Sequence, residues 1–173
     1  MWLREGTVIA MSKSFADFAV ELAGGKQIQL RDYAGNILLV AFLKRADCAC
    51  EYLAHILERL LSEYGHLGFQ PIGCLIDLLP GEPVPEFRFK YPIGARPRRV
   101  VSELLNIPMS GFHIPQILFM DRYGRKSGLY SPPDEFCKAV DVNARMMVER
   151  LVAQTREDVI DQGNGCIDSI QEY

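Results

Sequence analysis

The chain has no long apolar run and no excess of positive charge, and each absence excludes a class of protein. No stretch approaches the roughly 18 consecutive apolar residues of a membrane helix, and Met1–Gly6 lacks the apolar core of a secretory signal. The net charge of −3 gives no electrostatic reason to expect nucleic acid or an anionic membrane as a partner. We therefore expect a soluble protein without a membrane span, favour the cytoplasm, and expect the periplasm only if a leader was removed.

Cysteine is present, but not as a disulfide framework. The five cysteines are an odd set scattered over positions 48, 50, 74, 137 and 166, unlike the even sets of small secreted domains. With 173 residues, 49% of them apolar, the chain can bury a core without such staples. It shows no internal repeat and no low-complexity run. We expect a single domain over 1–173, with its core over about 14–155 and a tail over 158–173.

The first half of the chain carries the pattern of a β-hairpin followed by a strand–helix–strand unit. Residues 14–30 predict the hairpin, with its turn at Gly24-Gly25. The seven residues Ile37–Leu43 are all apolar, which predicts a central strand covered on both faces. An amphipathic helix is predicted over Glu51–Tyr64 and ended by Gly65. A second strand follows over Phe69–Asp77, parallel to the first because a helix connects them.

The second half predicts a loop, a short helix, a hairpin and a long helix. The helix spans Arg98–Leu105, and the hairpin joins a strand at Gln116–Met120 to an antiparallel one at Ser127–Tyr130. The long helix starts at Pro132–Glu135 and runs to about Gln154. The loop before the short helix is marked by prolines 80, 83, 85 and 92.

Two cysteines lie where the predicted central strand gives way to the first helix. The segment is Asp47-Cys48-Ala49-Cys50. Backbone N–H groups and the helix dipole favour a thiolate at the start of a helix. The flanking carboxylates Asp47 and Glu51 oppose it. These residues make the segment a candidate site of sulfur chemistry.

Two further segments carry a family resemblance. The run over Gly25–Gly35, GKQIQLRDYAG, resembles the opening segment of the redoxin and AhpC/TSA group, which includes TlpA-like thiol-disulfide oxidoreductases. The run over Phe112–Gly124, FHIPQILFMDRYG, resembles the later strand and turn of the same group. The match covers about 14–155. It implies an α/β thioredoxin-like fold, with a central mixed sheet flanked by helices and an N-terminal β-hairpin.

The resemblance also implies roles for particular residues. Pro115 would be the cis-proline that faces the active thiol, and with Ile114 and Asp47 it would bind substrate. Cys48 and Cys50 would be the catalytic pair, one attacking and the other resolving. The resemblance thus implies thiol-disulfide oxidoreduction without a cofactor, acting on a thiol or disulfide of a protein or of a small molecule.

The cysteine motif departs from the pattern of this group. TlpA-like proteins carry Cys-x-x-Cys at this place, but an ungapped count from Phe42 puts Asp47 on the attacking position and Cys50 on the second. Shifting the count by one residue puts Cys48 on the attacking position and leaves Cys-x-Cys. A disulfide between residues two apart closes a small, strained ring, which makes it more oxidising. A non-catalytic binding module that keeps the fold is therefore retained as an alternative function.

Two further alternatives stay open. Sco-type copper chaperones bind copper with two cysteines at this junction and one histidine, and His113 stands eleven residues before Gly124 as that histidine does. Cys48, Cys50 and His113 would then form a copper site. The other alternative is a peroxiredoxin-type peroxidase, which needs a threonine three residues before its reactive cysteine. In this chain the residue three before Cys48 is Arg45.

Overall fold

The computed structural model describes residues 15–131 and 139–164, the side chains of residues 156 and 158–164 excepted. In these residues seven strands form one mixed sheet, in the order β2-β1-β5-β4-β3-β6-β7. The strands are β1 (Ala19–Glu21), β2 (Gln27–Gln29), β3 (Ile37–Leu43), β4 (Phe69–Leu75), β5 (Ile93–Ala95), β6 (Gln116–Met120) and β7 (Lys126–Tyr130). The α-helices are α1 (Cys48–Tyr64), α2 (Arg98–Leu105) and α3 (Ala139–Asn164).

The strand β3 lies inside the sheet, as its uninterrupted apolar sequence predicted. It pairs in parallel with β4 and antiparallel with β6, and all seven of its residues are buried. Leu39 and Ala41 face a core built with α1 and α3, whereas Val40 and Phe42 face a core built with α2. Because both faces are covered by helices, no polar alternation is needed along β3.

The hairpins at the two ends of the sheet confirm the predicted ones. The strands β1 and β2 pair antiparallel, and so do β6 and β7. The first strand is shorter than its pattern indicated, because Phe15–Asp17 forms a 3-10 turn. The short strand β5 was not predicted; it extends the sheet by pairing with β4 in parallel and with β1 antiparallel.

Three predicted helix boundaries were wrong or cannot be compared. The helix α1 begins three residues before Glu51, so both Cys48 and Cys50 are helical. The predicted end of this helix is confirmed, since α1 ends at Tyr64 with Gly65 as its C-cap; a 3-10 turn follows, and Gly68 takes the left-handed conformation at φ 82°. The helix α3 continues past Gln154 to Asn164, into the predicted tail. The predicted start at 132–135 lies outside the described residues.

No helix in the described part of the chain combines the length and the apolar character that crossing a membrane requires.

Candidate functional site

The cysteine segment is positioned by the end of β3 and the cap of α1. Residues 44–47 connect the two elements, and Ala46 turns the chain through the left-handed region at φ 51°. Asp47 is the N-cap of α1, and its carboxylate accepts the backbone N–H of Cys50 at 2.9 Å. An Asp at this position satisfies one of the N–H groups that the first turn leaves free. The local sequence therefore sets where the helix starts.

The two thiols lie in different environments. Cys48, at the first position of α1, is exposed, while Cys50, at the third, is only 3% exposed. Successive helical residues are rotated by about 100°, so residues two apart point to nearly opposite sides of the helix. The structure brings the predicted pair into one helical turn, but it does not turn the two side chains toward each other.

The Cys50 thiol is held in its protonated form. Burial raises the pKa of Cys50 to about 12, and the Asp47 carboxylate, within hydrogen-bonding reach of the thiol, adds to the rise. The backbone N–H of Lys44, 3.5 Å from the Cys50 sulfur, acts in the opposite direction. Cys50 is therefore a weak nucleophile near neutral pH in this conformation.

Asp47 also forms an ion pair. Its carboxylate lies 3.1 Å from the Lys44 ammonium group. Although burial would by itself raise the pKa of Asp47, the hydrogen bonds from Cys50 and Lys44 lower it overall. The pKa of Lys44 is raised by the same hydrogen bond and by the attraction of the charged pair. Asp47 is thus a charged cap that contacts both the backbone and the thiol of Cys50.

The peptide bond Ile114–Pro115 is cis, as the resemblance implied. Pro115 is buried and directly precedes β6, and Ile114 is half-buried between the two cores. The register pairs Gln116 with Phe42. Pro115 therefore lies beside the end of β3, at the edge of the sheet from which the cysteine segment leaves.

The copper alternative needs three ligands that meet at one centre. Among the described residues, no three His, Cys, Asp or Glu side chains are grouped so that they could hold a metal ion, and this includes Cys48, Cys50 and His113. Arg45 forms ion pairs with Glu82 and Asp77. The copper site therefore gains no geometric support, and an ion-paired arginine occupies the position three residues before Cys48.

The remaining cysteines are separate from this segment where they are described. Cys74 lies in β4 with no exposed surface, and burial raises the pKa of its thiol. A free cysteine in such a position packs as a small apolar residue. Cys137 and Cys166 lie outside the described residues.

A cavity beside Cys50 was missed from the sequence. It has a volume of about 360 Å³, and the segment Glu86–Lys90 forms part of its wall through Phe87 and Phe89. The signal that could have indicated it is the alternation of charged and aromatic residues in Glu86-Phe87-Arg88-Phe89-Lys90. In an extended segment such alternation puts both rings on one side.

No family model and no curated protein matches this chain, but solved structures do. A putative thiol:disulfide interchange protein DsbE from Chlorobium tepidum superposes with a TM-score of 0.65 at 15% identity, covering 82% of this chain and 96% of that one. Peroxiredoxin Q from Xanthomonas campestris gives a TM-score of 0.61 at 18% identity, covering 85% and 97%. MTB dsbF gives 0.59 at 13% identity, covering 82% and 99%. The fold is thioredoxin-like.

The thioredoxin-like fold confirms the architecture that the two resembling segments implied. It accounts for the mixed sheet, the helices on both faces and the cis-proline segment leading into β6. At these levels of identity the likeness concerns the fold, and a shared fold does not by itself carry an activity. The chemistry must be argued from Asp47, Cys48 and Cys50.

Proposed function

We propose that this protein is a thiol-disulfide redox protein of the redoxin type, with Cys48 and Cys50 as its two working thiols. The observation that carries the proposal is the contrast between an exposed Cys48 at the first position of α1 and a buried Cys50 two residues later. An exposed thiol at the first position of a helix is reachable by a substrate disulfide. A buried second thiol is shielded from oxidants and thiols dissolved in the solvent.

The exposure of the two residues supports an order of events. The Cys48 thiolate attacks a substrate disulfide, forming a mixed disulfide and releasing one substrate thiolate. The Cys50 thiolate then displaces the second substrate thiolate and leaves a Cys48–Cys50 disulfide. The substrate gains two electrons, and an external dithiol returns the protein to its reduced form.

The second step requires the first turn of α1 to open. Two helical residues at this spacing diverge, so the sulfur atoms meet only after Cys48–Cys50 leaves the helical conformation. The cap formed by Asp47 opposes this opening, because its carboxylate accepts the Cys50 N–H. Asp47 is therefore proposed as a positioning residue that favours the reduced form.

Cysteine oxidation in a glutathione redox buffer tests the proposal. The reduced wild-type protein, with five thiols, is expected to lose two of them reversibly and to form a Cys48–Cys50 bond detectable by peptide mass spectrometry. The variants Cys48→Ser and Cys50→Ser are expected to lose that bond, while Cys74→Ser keeps it. A wild-type protein that oxidises no more than the Cys48→Ser Cys50→Ser variant would rule the proposal out.

A non-catalytic binding module is the second candidate. The diverging directions of Cys48 and Cys50 and the raised pKa of Cys50 favour it. Oxidation in the glutathione buffer separates the two functions. A binding module would keep both thiols reduced, or would hold a persistent mixed disulfide on Cys48 that Cys50 never resolves.

A further inference from the structure

A cavity of about 360 Å³ opens on the face of the sheet that carries α1, next to Cys50. Leu43, Leu75 and Ile93 contribute to it from β3, β4 and β5, and neither Cys48 nor Pro115 belongs to its wall. It therefore lies on the side of β3 away from β6. Open α/β sheets commonly bind ligands beyond the carboxyl ends of their parallel strands, which is where β3 and β4 end here. The volume is within the range of small-molecule sites.

The free surface of this cavity is mainly apolar. Phe87 and Phe89 form its outer wall and Ala54 of α1 part of its inner wall. Phe87 remains 38% exposed, so a ligand could cover apolar surface that the protein leaves in water. This argues for an apolar group as the occupant.

The charged groups around the cavity already have partners or are solvated. The ammonium of Lys44 is paired with Asp47 at 3.1 Å, and Arg45 is paired with Glu82. Glu51 and His55 are exposed at the mouth. A charged ligand would have to lose its hydration without gaining a free counter-charge inside. The charge pattern therefore favours an uncharged ligand.

The part of the outer wall that contains Phe89 is anchored before any ligand binds. The Tyr91 hydroxyl donates to the Ala54 carbonyl at 2.8 Å, and the Lys90 N–H donates to the Glu58 carboxylate at 3.0 Å. The ring of Phe89 packs edge-on against that of His55, with 5.2 Å between their centroids. A wall held in this way needs little ordering upon binding, which favours affinity.

We propose that this cavity binds a small, uncharged molecule carrying an aromatic or branched alkyl group, held against the thiol of Cys50. The site is distinct from the exposed Cys48. It does not depend on the redox function proposed above.

Three probes that share a phenyl group test the ligand class. They are 2-phenylethanol, 2-phenylethylamine and phenylacetate, which carry a hydroxyl, an ammonium and a carboxylate. In amide NMR titrations, 2-phenylethanol is expected to shift signals of residues 43–55 and 87–93 in a saturable way, and to bind at least about fivefold more tightly than either charged probe. The absence of saturable shifts there, or tighter binding of a charged probe, overturns the proposal.

Variants of the wall test the location. Phe87→Ser, which removes one side, and Ala54→Leu, which fills the interior, are each expected to weaken binding of 2-phenylethanol about tenfold. Leu79→Ser is the matched control, because Leu79 is 71% exposed and lies outside this wall. If Ala54→Leu does not fold, the partly exposed Phe87 still provides the test. Equal affinity of Phe87→Ser and Leu79→Ser would overturn the assignment.

Alkylation of the cysteines provides a second readout. Saturating 2-phenylethanol is expected to slow alkylation of Cys50 at least about fivefold and to leave that of Cys48 unchanged, since only Cys50 lines the cavity. Equal rates at Cys50 with and without the probe would contradict the proposal. Because the probe is redox-inert, a protein that binds it but never forms a Cys48–Cys50 disulfide would lose the proposed redox function and keep this site.

Discussion

At Cys50, burial, a neighbouring carboxylate and a backbone N–H act on one sulfur atom. Burial dominates and raises the pKa of Cys50 to about 12. Below that pH the thiolate fraction grows about tenfold for each pH unit. We therefore predict that the alkylation rate of Cys50 by iodoacetamide, followed by peptide mass spectrometry, rises about tenfold per unit from pH 7 to pH 10. A plateau below pH 9 would show that the thiol is not held protonated in this way.

The pH dependence of the proposed resolving step has the same sign. Attack by Cys50 on a mixed disulfide at Cys48 requires the Cys50 thiolate, so its rate is expected to increase with pH up to the pKa that Cys50 has once the turn has opened. Opening of the first turn exposes Cys50 and moves its pKa back toward the usual value. The rate at which the mixed disulfide is resolved can be compared with the alkylation rate of Cys50 at the same pH. Resolution faster than the buried thiol allows would indicate that the turn opens during the reaction.

Asp47 caps α1 and also contacts the Cys50 thiol. Replacing it should therefore change the equilibrium between the dithiol and the Cys48–Cys50 disulfide. Asp47→Ala removes the acceptor of the Cys50 N–H, at a cost of about 1 kcal/mol to the reduced, helical form. We predict that the equilibrium constant for forming the Cys48–Cys50 disulfide rises about fivefold, measured against glutathione. Asp47→Ser is the control, because serine still caps the helix. If both variants shift the equilibrium equally, the charge of Asp47 and not its capping is responsible.

At the scale of elements, patterns that reflect burial could be predicted and those that depend on distant partners could not. Ile37–Leu43 was predicted as the central strand, since only a doubly covered strand is apolar throughout. The periodic burial in α1 is visible from Leu53 onward, but its first turn has an exposed Cys48, so the predicted helix began at Glu51. The strand β5 has three residues and exists because β1 and β4 lie on either side of it.

Gly94 allows β5 to lie close to β1. A Cβ atom at this position would come within 2.3 Å of the Glu21 carbonyl oxygen and 2.6 Å of the Val20 side chain. We predict that Gly94→Ala lowers the free energy of unfolding in urea by about 1–3 kcal/mol, because the backbone of β1 must shift. Gly111→Ala is the matched control, since a Cβ there has no neighbour within 4 Å. Similar losses in both variants would contradict the close packing of β5 and β1.

At the scale of the molecule, the cysteine segment could be located from sequence and the cavity could not. Asp47, Cys48 and Cys50 are neighbours in the chain, so a strand followed by a helix was enough to place them. The cavity takes its wall from β3, α1, β4, β5 and the segment containing Phe87 and Phe89. Sequence alone gives no distance between such separate segments. The burial of Cys50 depends on these same neighbours, so it could not be predicted from the sequence either.

Arg122 connects three separate parts of the fold at the end of the sheet away from the cysteines. Its guanidinium donates to the carbonyls of Gly35 at 3.3 Å and Leu67 at 2.5 Å, and to the Thr155 hydroxyl of α3 at 3.1 Å. Hydrogen bonds from a charged donor contribute about 1.5–3 kcal/mol, and acceptors left without one add a penalty. The side chain therefore holds the turns before β3 and β4 against α3.

We predict that Arg122→Ala lowers the free energy of unfolding by about 2–3 kcal/mol, measured by urea denaturation. Arg125→Ala provides the comparison, because the side chain of Arg125 is 71% exposed and pairs with Asp121 on the surface, where an ion pair contributes about 0.5 kcal/mol. The Cys48–Cys50 equilibrium should be unchanged in both variants, since neither arginine lines the cavity or contacts the cysteine segment. An equally small loss of stability in both variants would show that Arg122 does not hold these segments together.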